Sequence, residues 1–492
     1  MSLDLESYGE RAQAFVTELD REYHLHFSGQ KTEFDVGAVY ERHGGIFDRA
    51  VVEDLRDLAE SLQGEERRRA RYLLSMAVGG LIGQACAGEE QAIAEAEASL
   101  TLEVGGEQIP YRSAPVRQAN EADAEVRAEV ERRRHEQVEE RLNPLHLAAL
   151  ERAHSLVREL GWESYAQACA ELRGIDLQAL AAQTSGFLDA TAEAYPPLIE
   201  AELGEVLGIG LEQARRSDLA RLFRAPALDA AFDADRLIES FAQTMKGMGL
   251  DLGAQPNIIF DTEHRPTKTP RAYCAPVRAP EEVYLVVPRV GGREDYAALF
   301  HEGGHAEHYG NVAADLPFEF RHLGDNSVTE SFAFLFEHIT EAPLWLREVA
   351  GADPEPIVRH VRAVRLYFLR RYAAKLRYEL VLHGADADLA AMPEVYAREL
   401  GEATRIAWTP VTWLEDVDEA FYVAAYLRAW ALESRWRAHL EERFGEAWIN
   451  EPEAGEWLVG VWRQGQRLDA DELIGEVLGE ELSFDTLAAA YA

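Results

Sequence analysis

Apolar residues recur three and four positions apart along most of the chain, as in Leu147, Leu150, His154, Leu156, Val157 and Leu160, which predicts amphipathic helices. Ala, Leu, Glu and Arg dominate these stretches, and Leu160-Gly161-Trp162 closes one of them with Gly161 at its C-cap. Alternation with period two is rare. Leu100, Leu102 and Val104 before Gly105-Gly106, with Ile109 and Tyr111 after it, spell a short hairpin. Ile258-Ile259-Phe260 and Val283-Tyr284-Leu285-Val286-Val287 predict two further strands, separated by a Pro- and Arg-rich loop. The second of these reads either as an edge that an extended peptide pairs with or as an ordinary buried strand. Arg-rich pieces at 67–71 and 132–134 are interleaved with Glu65, Glu66, Glu131 and Glu136, the pattern of solvated helix faces. Repeats, low-complexity tracts and Gly/Ser linkers are absent, and eight of the nine tryptophans follow residue 340. The expectation is a mainly α fold over 1–492 as one unit, with a helical N-terminal lobe over 1–200 and a second region over 201–492.

Composition narrows the function. The chain has 492 residues, and 49 Lys plus Arg against 88 Asp plus Glu give a net charge of −39. With 47% hydrophobic residues this is a globular composition, and the length fits one large enzyme as well as several domains. The acidic excess argues against nucleic acid and against an anionic membrane surface as partners. Cys86, Cys169 and Cys274 are odd in number and far apart, so no disulfide framework is expected. The opening residues carry neither a basic nor an apolar signal region, and the most apolar stretch, 76–88, is too short for a bilayer span. A soluble, cytoplasmic protein is the expectation. The four lysines, Lys31, Lys246, Lys268 and Lys375, mark the genome rather than a function.

The chemistry concentrates in Phe300-His301-Glu302-Gly303-Gly304-His305-Ala306-Glu307-His308. On a helix His301 and His305, four apart, project from one face and can hold a single zinc ion. Glu302 sits at the edge of that face, placed to act as general base toward water and then as proton shuttle to the leaving amine. Gly303 and Gly304 are unfavourable inside a helix by about 1 kcal/mol each, which points to close approach of substrate or backbone. A catalytic zinc needs a third protein ligand. The metzincin arrangement is excluded, because His308 and Asn311 stand where its Gly and His belong. A Glu on a following helix is available instead: Glu330 lies 25 residues after His305, and Glu337 two turns beyond it on the same face. Ser327-x-x-Glu330 also spells a capping box, but beside HExxH the ligand reading is preferred. Glu337 is then the residue that orients a ligating imidazole.

With these residues placed, the sequence resembles the thimet oligopeptidase and oligoendopeptidase F group of zinc metallopeptidases, of gluzincin type. Phe260-Asp261-x-x-x-Arg265-Pro266-x-Lys268 and Ala272-Tyr273-Cys274 are similar to the family's segment ahead of the active site. The HExGHAxH pattern through His308, the glutamates Glu330 and Glu337, and Phe421-Tyr422-Val423-x-x-Tyr426 complete the likeness, which is strongest over 258–337 and extends to 413–436.

The resemblance implies a large, two-lobed helical metallopeptidase with a deep channel and a small β element beside the HExxH helix, one zinc per chain, and short peptides as substrates. It implies that Tyr422 and Tyr426 hydrogen-bond the tetrahedral oxyanion, although an i, i+4 tyrosine pair also suits a helix core. His308, Glu337 and Arg428 are set as supporting or substrate-binding candidates. Two departures stand out. The family's substrate-binding His before the first tyrosine is replaced by Trp413-Leu-Glu415-Asp416-Val-Asp418-Glu419, acids that either favour a helix start or select cationic substrates. Tyr426-Leu427-Arg428 is similar to a run in angiotensin-converting-enzyme-like peptidases, so Arg428 reads as a carboxylate anchor or as a structural ion pair. A zinc carboxypeptidase and a non-catalytic peptide-binding relative are the alternatives.

Overall fold

Helix ends in this protein are set by short acidic side chains, and the computed structural model, which describes residues 3–491, places most of the chain in helices. The elements that bear on function are α1 (Leu5–Phe27), α2 (Gly64–Ser99), β1 (Thr101–Val104), β2 (Glu107–Pro110), β3 (Ile258–Asp261), β4 (Tyr273–Arg278), β5 (Glu282–Val286), α3 (Arg293–Asn311), α4 (Asn326–Ile339), α5 (Pro354–Leu382) and α6 (Tyr422–Phe444). Asp4 caps α1 by accepting from the Ser7 amide, and Asp325 caps α4 by accepting from Ser327. The fold is mainly α, as the spacing predicts. The apolar stretch 76–88 lies inside α2, and no helix among the described residues is long and apolar enough to cross a membrane.

Two compact units divide the chain, and each is discontinuous in sequence. The first takes the chain up to Gly79, then Ala227–Val358 and Arg428–Leu487; the second takes Gly80–Pro226, Arg359–Leu427 and the residues after Leu487.

In the first unit β3, β5 and β4 form a three-stranded sheet in the order β3-β5-β4, parallel between β3 and β5 and antiparallel between β5 and β4. Strand β4 falls in the stretch that the sequence suggests is only a loop. Its Pro276 masks the pattern, and it is tolerated because β4 is an outer strand with a register irregularity between Ala275 and Arg278. Strand β5 is therefore central and offers no free edge to a peptide, which corrects the edge reading of 283–287. The Asp261, Arg265 and Lys268 motif has a structural job here. Asp261 accepts from Arg265 at 2.7 Å and from Lys268 at 3.1 Å, and Lys268 also bonds the Asp261 and Val287 carbonyls, tying down the loop between β3 and β4. The late tryptophans build much of the core: Trp345 packs on Phe300, and Trp436 and Trp462 pack on Phe332.

In the second unit the hairpin forms as read, with Leu102 opposite Ile109 and both turn glycines at positive φ, as a two-residue turn requires. Its core gathers Leu188, Tyr378, Tyr396, Leu400 and Trp413. Three of the four acids before Tyr422 are neutralised within this unit: Glu415 by Arg134, Asp416 by Arg371, and Asp418 by Lys375 at 2.6 Å. These three are internal counterions, and neither a helix start nor a free negative surface accounts for them, whereas Glu419 is exposed. Beside them, Glu379 is fully buried and accepts the Asp418 amide at 2.9 Å.

Burial pushes the Glu379 pKa up to about 8, against Lys375, which pulls it down. Between the ordinary value of 4.5 and about 8, the unfolded chain has lost this proton while the folded chain keeps it. Folding then takes up a proton, so this group's contribution to stability falls as pH rises through that window. Wild type should accordingly lose stability relative to Glu379→Gln between pH 5 and 8, with the difference levelling off above. Urea midpoints of both proteins across that range check it, and a pH-independent difference rejects it.

Candidate metal centre

Helix α3 starts where Asp295 folds back to accept the Val290 and Gly291 amides and Asp229 accepts the Arg293 amide. Glu294 and Asp295 in its first turn complement the helix dipole. From there the 3.6-residue repeat carries His301 and His305 to one face, opposite α4.

The two helices are brought close by the glycines. A Cβ on Gly304 would lie 2.5 Å from the Phe332 carbonyl oxygen and 2.7 Å from the Ala333 Cα, and one on Gly303 would lie 2.4 Å from the Phe241 ring. The pair is thus explained by contact with the α4 backbone and a core ring rather than with substrate. Gly304→Ala must push two helix backbones apart. It should cost about 1–3 kcal/mol or more, seen as a lowered thermal midpoint, with weakened metal binding.

At the interface His301 Nε2 is 3.5 Å and His305 Nε2 3.6 Å from Oε2 of Glu330, which is buried. One ligand atom from each of the three residues falls within 4.8 Å of the others. The far nitrogens are occupied: His301 Nδ1 lies 2.9 Å from Glu337 Oε2, and His305 Nδ1 2.8 Å from Thr329 Oγ1. A carboxylate only accepts, so His301 donates from Nδ1, and both rings can turn their Nε2 lone pairs toward Glu330. Two His and one Glu converging this way, with the opposite nitrogens tied back, suit zinc. Glu330 does not cap α4, because Asp325 does.

Glu302 lies beside this group, and its Oε2 accepts the Cys274 amide of β4 at 2.8 Å. Burial, more than any charge, raises its pKa to about 7, while His301 and the Cys274 N–H pull it down. Cys274, which the sequence leaves without a role, contributes through its backbone, and no side-chain pattern could reveal that. Thr329 was also missed; its only signal is adjacency to Glu330.

The other candidates fall elsewhere. His308 is fully buried between the rings of Phe332 and Tyr309, and burial lowers its pKa to about 3, so it occupies the core and not a substrate surface. Arg428 is buried and forked between Asp325 and Asp471, each at 2.5 Å, with Ser327 at 3.1 Å. It anchors the start of α4 and is not open to a substrate carboxylate. Burial raises the Asp325 pKa, but Arg428 and the amide donors outweigh that and hold it below the ordinary carboxylate value. Tyr422 and Tyr426 stand on the first turns of α6, in the second unit, with ring centroids 5.0 Å apart. Tyr422 follows two non-glycine residues in left-handed conformation, Ala420 and Phe421, at φ 48° and 57°. Such backbone is strained and persists only where its surroundings enforce it.

In fold, the chain is similar to the solved structure "PZ PEPTIDASE A with inhibitor 2", with a TM-score of 0.70 at 16% identity over 97% of this chain and 89% of that one. It is likewise similar to "Crystal structure of a putative oligoendopeptidase F from Bacillus anthracis str. Ames", with a TM-score of 0.68 at 15% identity over 99% and 89% of the two chains. In sequence it matches no protein-family model and no curated protein. The resemblance stated from the motifs therefore holds at the level of fold, across almost the whole chain.

Proposed function

We propose that the chain is a zinc-dependent peptidase acting on short peptides. The observation that carries this reading is the convergence of His301, His305 and Glu330, with the half-buried carboxylate of Glu302 beside them. His301, His305 and Glu330 would hold one zinc ion per chain, oriented by Glu337 and Thr329. When bound, the ion supplies Lewis acidity, which polarises a peptide carbonyl and makes water a stronger acid.

The proton work falls to Glu302. The Cys274 amide holds its Oε2, leaving Oε1 to take a proton from the attacking water and pass it to the leaving nitrogen. A carboxylate whose pKa is raised by burial is a stronger base than an exposed one, which suits that task. Strand β4 has a free side in the sheet, and the Cys274 amide already points that way, so an extended peptide laid along it would pass Glu302. The fold likeness to two structures that bear peptidase names supports the same reading. The carboxypeptidase alternative loses its proposed anchor, because Arg428 is committed to two aspartates.

Mass-spectrometric mapping of cleavage in a mixed peptide library, with and without a chelator, tests the proposal. Internal cleavage that disappears with 1,10-phenanthroline and returns with zinc, at about one zinc per chain, is expected. Cleavage indifferent to the chelator would overturn it.

A further inference from the structure

We infer that a cavity beside β4 is a specificity subsite, which takes an aromatic or large aliphatic side chain of the substrate peptide; the inference rests on the peptidase reading above. The cavity measures about 330 Å³ and is lined by Tyr23 and Phe27 of α1, by Ala272, and by Tyr273, Ala275 and Pro276 of β4, with Asp20, Thr269 and Arg271 as its polar lining. That volume is near the lower bound for ligand sites, room for one or two residues and not for a folded partner.

Its position ties it to the reaction centre by two routes. Tyr273 and Ala275 flank Cys274, whose amide holds Glu302. Side chains alternate across a strand, so Tyr273 and Ala275 share the face opposite to that of Cys274. A peptide added along the free side of β4 would alternate in the same way and send every second side chain toward that face. The second route runs through Asp20, whose carboxylate is 3.1 Å from His322 Nε2. The His322 ring lies 6.1 Å from that of Tyr309, which in turn stacks 6.5 Å from the ligand His305.

The walls are mostly apolar, and they are open. Tyr23 is 42% and Phe27 40% exposed, and both pack with Phe34, itself 42% exposed. Contiguous exposed aromatics are uncommon on a monomer surface unless they meet a partner. Continuity with Cys274 and Asp20 identifies that partner as the substrate chain.

The test compares paired peptides that differ only by Phe or Ala at each position flanking the scissile bond. Zinc-loaded wild type should prefer Phe at one position by roughly 10- to 100-fold in kcat/KM, as expected for burying one aromatic side chain. Phe27→Ala, which removes a wall, and Ala272→Trp, which fills the cavity, should each bring that ratio within about threefold of unity. In the Glu302→Gln background, a dye-labelled Phe peptide should bind more tightly than its Ala counterpart by fluorescence anisotropy, and Phe27→Ala should abolish the difference. A preference that survives both variants overturns the subsite and leaves the peptidase reading intact. Absence of cleavage in every peptide by zinc-loaded wild type removes both. Should Phe27→Ala change the oligomeric state by light scattering while the Phe preference persists, the face joins copies of this chain and the subsite is rejected.

Discussion

Glu302→Gln is expected to retain about one zinc per chain and to lose peptide hydrolysis by roughly 100- to 10,000-fold, the usual contribution of a positioned general base. The substitution preserves shape. A glutamine carbonyl can still accept the Cys274 amide that Glu302 accepts at 2.8 Å, so the strand and the helix keep their register. What disappears is the oxygen that takes up a proton. Because His301, His305 and Glu330 converge without help from Glu302, metal content should not follow activity. Zinc analysis beside turnover of a cleaved peptide separates the two quantities. Loss of zinc together with activity would make Glu302 a structural support of the metal group, and full activity would remove it from the mechanism.

How much of this centre was legible in the sequence follows from what each contact is made of. Side-chain chemistry at helical spacing is written directly: His301 and His305 at i, i+4, and Glu330 and Glu337 two turns apart, fall where the periodicity puts them. Contacts made by backbone are not written. The Cys274 amide on Glu302 depends on β4, and β4 was hidden because Pro276 argues against a strand unless the strand is known to be an edge. The same ignorance of sheet order made β5 look like the available edge. Gly303 and Gly304 signalled a close approach correctly, but only the packing of α3 on α4 tells that the approaching group is a neighbouring helix.

Charges were the least legible. Arg428, Glu415, Asp416 and Asp418 all read as possible substrate contacts, and each is committed to a partner far away in sequence. A one-dimensional pattern holds no information about a counterion 43 to 281 residues off. The fold class, by contrast, rests on many weak local signals that add up, and the mainly helical reading holds although no family model matches the chain. The roles given to Tyr422 and Tyr426 still rest on the resemblance, since His301, His305 and Glu330 belong to the first unit and these tyrosines to the second.

Glu330→Ala should have the other large effect, and a graded series around it gives the measurement its meaning. Glu330 is the sole carboxylate within reach of both Nε2 atoms among the clustered ligands, at 3.5 and 3.6 Å, and it is buried. Removing it leaves two imidazoles, too few for a stable three-ligand zinc site, so zinc content should fall well below one per chain and hydrolysis with it. Glu337 and Thr329 act one step back, each on an Nδ1 atom. Glu337→Gln and Thr329→Val remove or weaken an acceptor that fixes a ring, and losses of about 10- to 100-fold in zinc affinity are typical of such partners. Glu337 supplies a carboxylate that raises the basicity of His301, whereas Thr329 supplies only a neutral oxygen, so Glu337→Gln should be the more harmful of the two. Zinc affinities measured by competition with a chromophoric chelator should therefore rank wild type, Thr329→Val, Glu337→Gln and Glu330→Ala in descending order. A Glu330→Ala protein that binds zinc as tightly as wild type would mean that the third ligand lies elsewhere.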